Sequence, residues 1–68
     1  MEQETERILE NIRKKRLENQ VSVLNLALTV GISHSHLYYI ESKRVVPSVD
    51  VVVKIAKALN LSIKDFLA

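Results

Sequence analysis

The chain has 68 residues, enough for one domain with one small core. Its 47% hydrophobic content is too high for disorder, and a formal net charge of +2 is too slight to name a partner. With no cysteine, neither a disulfide nor a thiolate zinc site can staple the fold, so helix packing or a partner subunit must hold it.

The opening MEQETER is acidic and polar, unlike a signal peptide, and no apolar stretch is long enough to span a bilayer. A cytoplasmic location is the default expectation. A first helix is predicted from Thr5 to Glu18, with Thr5 as cap and Ile8, Leu9, Ile12 and Leu17 at helical spacing. Its early glutamates suit the positive end of the helix dipole. Ser22 caps a second helix, Val23 to Val30, with Leu26, Ala27 and Val30 inward. Gly31, the only glycine, closes it in the left-handed conformation. Ser33 caps a third helix, His34 to Glu41, anchored by Leu37 and Ile40.

A basic loop, SKRVV, leads to Pro47, and Ser48 caps a fourth helix from Val49 to Leu59. The run Val49-Asp50-Val51-Val52-Val53 has strand propensity, but the continuation KIAKAL and the serine cap favour helix. Asn60 ends it, and Ser62 caps a last helical turn that brings Ile63, Phe66 and Leu67 near the core. Two helices around a glycine turn, the second short and serine-capped, have the order of parts of a helix-turn-helix.

Taken together, Ile12-Arg13, Arg16, Ser22, Leu26-Ala27, Gly31-Ile32-Ser33, Leu37, Ile40-Glu41, Pro47-Ser48, Ile55-Ala56-Lys57-Ala58-Leu59 and Leu61-Ser62 lie at one family's spacing without gaps. The chain resembles the Cro/C1-type helix-turn-helix proteins, which include lambdoid phage repressors, over about Ile8 to Leu67. The resemblance implies a single all-α domain over residues 1–68, a five-helix lambda-repressor-like fold. It also implies DNA binding by the third helix and, commonly, a homodimer on a two-fold symmetric operator. Four positions depart from the family. Val23 stands where glutamine is usual, Leu24 and Leu28 where polar residues are usual, and Gln20 where glycine follows the first helix.

A major-groove reader needs exposed polar side chains near a helix N-terminus. Ser33, His34, Ser35, Tyr38 and Tyr39 are the candidate base contacts, and the last four match the family's base-reading positions. His34 and His36, two residues apart, point to different faces, so no metal pair is expected. Candidate phosphate contacts are Ser22, the start of the second helix at Val23, and Lys43 and Arg44 after the third; Arg13 and Lys14 are weaker candidates. The family's phage repressors pair the residues matching Arg16 and Glu41, which implies a buried ion pair here. Apolar residues in excess of one small core (Val49, Val53, Leu61, Ile63, Phe66 and Leu67) are candidates for a dimer face.

These features point to a double-stranded DNA-binding transcriptional regulator of repressor type, with no cofactor and no small-molecule ligand. The other reading is a protein-interaction module or antitoxin-like adaptor that docks through the apolar second helix at Val23, Leu24 and Leu28. No nucleophilic cysteine and no glycine-rich phosphate loop speak for an enzyme.

Overall fold

The structure, a computed structural model describing residues 1–68, holds four α-helices and a closing 3-10 turn. The helices are α1 (Gln3–Glu18), α2 (Val23–Val30), α3 (His34–Glu41) and α4 (Val49–Ala58), and the turn is Ile63–Phe66. The valine-rich run is helical, as the serine cap requires. The fifth element is a 3-10 turn rather than an α-helix, and α4 stops at Ala58 with Leu59 as its C-cap.

Serine starts three of the helices. Ser22 Oγ accepts from the Asn25 N–H at 3.0 Å, Ser33 Oγ from His36 at 3.0 Å, and Ser48 Oγ from Val51 at 3.2 Å. Each bond satisfies a donor that has no partner inside the helix. The expected cap at Thr5 is not used. Helix α1 starts earlier because the Glu2 carboxylate accepts from the Glu4 and Thr5 N–H groups at 2.7 and 3.2 Å. A carboxylate does this well because the helix dipole adds to the hydrogen bonds.

All four α-helices close through a left-handed residue, namely Gln20, Gly31, Lys43 and Asn60. After α1, α3 and α4 the next two N–H groups fold back in the Schellman pattern. Val21 N–H reaches Arg16 O, Arg44 N–H reaches Tyr39 O, and Leu61 N–H reaches Ala56 O. Only α2 uses glycine, and each of the other three accepts the cost of a side chain at positive φ.

Twelve residues form one core, among which Leu9, Ile12, Leu26, Leu37, Ile40, Ile55 and Phe66 are the largest fully buried side chains. Two expectations fail here. Leu17 is 51% exposed, because it lies one position past the α1 stripe of Leu9, Ile12 and Arg16 that faces the core. Ile63 and Leu67 stay 43% and 54% exposed, because the tight 3-10 turn sends only Phe66 inward. Asn11 pins that turn to α1 by donating to Phe66 O at 2.8 Å and Ala68 O at 2.9 Å.

Candidate nucleic-acid interface

The short helix α3 has two opposed faces. Leu37 and Ile40 are fully buried, anchoring it against the core. Ser33, His34, Ser35, Tyr38 and Tyr39 are all exposed on its N-terminal turn and outer side. His36 is exposed too. Tyr38 and Tyr39 meet edge to face, with ring centroids 5.8 Å apart. The Arg44 guanidinium lies over the Tyr39 ring, 5.8 Å from its centroid, which brings a positive charge beside the outer face of α3.

A buried ion pair fixes the end of this helix. Arg16 Nε donates to Glu41 Oε2 at 2.7 Å and Arg16 Nη2 to Oε1 at 2.9 Å, a bidentate fork. A third donor, Nη1, reaches Val21 O at 2.9 Å in the turn before α2. One side chain of α1 therefore holds both the last turn of α3 and the approach to α2. The side chains are 9% and 6% exposed, so water screens the pair little.

Lys43 does not project outward. Its left-handed backbone turns the side chain back onto α1, where Nζ bonds Glu10 and lies 3.8 Å from Glu6. The hydrogen bond to Lys43 holds the Glu10 carboxyl below the usual glutamate range, and the same bond raises the Lys43 amine. Lys43, expected at a phosphate, is thus paired with two carboxylates of α1 in the free protein. Sequence reasoning missed Glu6 and Glu10 as its partners because they lie on another helix. Their only visible signal was their spacing of four residues on one face of α1.

The start of α2 is open. Ser22 is exposed, Val23 is half-buried, and Leu24 and Leu28 are 53% and 69% exposed. Among the residues expected at a dimer face, Val49, Ile63 and Leu67 are exposed, and Val53 and Leu61 are half-buried. Leu61 also leans on the core. Phe66 cannot belong to such a face, because it is fully buried as the plug between α1 and the last turn. Val49 and Ile63 instead line a shallow apolar groove with Ile8, Leu9, Val46 and Pro47. No helix is long and apolar enough to cross a membrane.

A search among solved structures finds the restriction-modification controller protein C.AhdI from Aeromonas hydrophila, with a TM-score of 0.85 at 21% identity. The match covers 91% of this chain and 94% of that one, and at such low identity it speaks for the fold. No curated protein matches by sequence. The family model described as Helix-turn-helix matches residues 12–66, which include the Arg16–Glu41 pair, both helices of the motif and the whole of α4. The chain belongs to the Cro/C1-type helix-turn-helix family of DNA-binding regulators.

Proposed function

We propose that the chain is a transcriptional repressor that binds a two-fold symmetric operator as a homodimer, with α3 in the major groove. The observation that carries this reading is the opposition of faces on α3. Leu37 and Ile40 are fully buried, while His34 and Ser35 on the first turn and Tyr38 and Tyr39 one turn later stand in solvent. None of those four side chains belongs to the core. In this reading Ser33, His34, Ser35, Tyr38 and Tyr39 meet base edges. Ser22, the Val23 N–H and Arg44 meet phosphates. Tyrosine suits this task because its hydroxyl reaches a base edge while its ring packs on a thymine methyl.

A single eight-residue helix reads only a few base pairs. Two copies double the contacts, with half-sites about 34 Å apart, one turn of the duplex. The body measures 27 × 22 × 20 Å, of the same order as one turn of the duplex. The exposed Val49 and Ile63 support a dimer face on the groove that α1 shares with α4.

Selection of duplexes from a random pool tests the reading, with the bound sequences inspected for two-fold symmetry. His34→Ala or Tyr39→Ala is expected to relax preference at one or two base positions, at about 1–3 kcal/mol for a good contact. Folded variants with unchanged preferences refute the assignment. Sedimentation of a free species of 7.8 kDa, with one protomer per duplex on DNA, refutes the dimer.

A second reading is favoured by the exposure of Leu24 and Leu28, which project from α2 without covering neighbours. There the fold serves as a protein-docking module. Salt separates the two, because phosphate binding weakens steeply as salt rises and apolar docking does not.

A further inference from the structure

Glu6, Glu10, Arg13 and Arg16 follow one another along α1 at intervals of four, three and three residues, so they share one stripe. The end of α3 satisfies three of them. Lys43 takes Glu6 and Glu10, and Glu41 takes Arg16 with both of its oxygens. Arg13 is the fourth. It is exposed, and no carboxylate lies within ion-pair distance of it.

Arg13 also lines two adjoining clefts. One is shared with Glu10, Ser42 and Lys43, the other with Val23, Tyr38 and Ser42. The walls of the second cleft are the first residue of α2, the outer face of α3 and the cap of α3. Glu41 borders both clefts but is committed to Arg16, so it leaves the charge of Arg13 unneutralised. An uncompensated guanidinium in a cleft between these elements is matched to an oxyanion that can take two parallel N–H bonds.

We propose that Arg13 is a phosphate anchor for the duplex, seated in the cleft between α1, α2 and α3, and that Lys43 is not a phosphate contact. The proposal rests on the DNA-binding reading and adds a residue to it. Lys43 could reach a phosphate only by abandoning Glu6 and Glu10, which would then lie unpaired near the DNA backbone and repel it. Arg13 breaks no ion pair in turning to a phosphate.

The test is a fluorescence-anisotropy salt series on a selected duplex and on a random duplex, with wild type, Arg13→Gln and Lys43→Gln. Counterion release gives a slope of about 0.9 in log K against log salt for each phosphate contact. Arg13→Gln is expected to lower the slope by about that amount, to weaken both duplexes by the same factor, and to keep base preferences. Lys43→Gln is expected to keep the wild-type slope while weakening both duplexes, because it strands Glu6 and Glu10 near the backbone without removing a phosphate contact. A wild-type slope in Arg13→Gln, or the loss of one contact in Lys43→Gln, overturns the proposal. A melting curve for each variant confirms that a lost slope is not lost fold. If the wild type binds neither duplex, the DNA-binding reading itself falls, and Arg13 falls with it. If the wild type binds and Arg13→Gln matches it, only the anchor falls.

Discussion

Replacing Arg16 with alanine is expected to bring the domain close to unfolding. The change removes three hydrogen bonds, two to Glu41 and one to Val21 O. It leaves a carboxylate that is 6% exposed with no cation beside it. Breaking a buried pair from one side costs about 3–5 kcal/mol, because the remaining charge keeps its desolvation penalty and loses its partner. At about 0.05–0.15 kcal/mol per residue, a chain of 68 residues has only about 3–10 kcal/mol in all. The cost therefore takes a third or more of the total. In melting temperature, about 4–8 °C per kcal/mol for a domain this size, the drop is at least about 12 °C. Thermal unfolding followed by far-UV circular dichroism measures it. Arg16→Met combined with Glu41→Leu removes both charges and should recover most of the loss, since a buried pair is often no more stable than an apolar replacement. If Arg16→Ala melts within a few degrees of wild type, the pair is more hydrated than its burial indicates. If the double variant melts as low as the single one, the loss comes from packing rather than from the stranded charge.

Gln20 sits at φ 57° after α1, so Gln20→Gly should relieve left-handed strain and raise stability by up to about 1 kcal/mol after glycine's own entropy cost; an unchanged or lower melting temperature speaks against strain there. Asn11→Ala removes both bonds to the C-terminal turn and should cost about 1–3 kcal/mol in urea denaturation. A midpoint equal to wild type would mean that Phe66 alone docks the turn. The Glu10–Lys43 pair ties stability to pH at both ends. The lowered Glu10 carboxyl contributes stability above the ordinary glutamate value and loses it as pH falls through its own lower value. The raised Lys43 amine contributes below the ordinary lysine value and loses its share as pH rises through its own higher one. An NMR titration of the Glu10 carboxyl should move up toward the usual range in Lys43→Ala, and an unmoved titration would show that Lys43 does not hold it. Both groups are exposed, so added salt should narrow the difference.

The boundaries of α2 and α3 were legible because they are written in single turns of chain. A serine hydroxyl satisfies the N–H three residues on, and Gly31 permits the positive φ that ends α2. The inward stripes of α2, α3 and α4 follow from helical spacing for the same reason, and the serine cap kept the valine run of α4 helical. The start of α1 was misread because a glutamate did the work of a cap, a role in which serine, threonine, aspartate and asparagine are the usual residues.

The helices, the turn between α2 and α3 and the exposed outer face of α3 could be read along the chain, since each depends on residues no more than about four apart. The Arg16–Glu41 contact was expected from family resemblance, and its bidentate geometry and burial come from the packing. Where charges and large apolar side chains end up was set by how the helices pack. Arg16 finds Glu41 across 25 residues, Lys43 finds Glu10 across 33, and Asn11 finds Phe66 across 55. That packing gave Lys43 two carboxylate partners on α1 and moved Phe66 from an expected dimer face into the core. It left Arg13 as the unpaired cation of its stripe. Spacing along a helix tells which residues share a face, but what that face meets depends on how the helices pack, and no local rule contains that information.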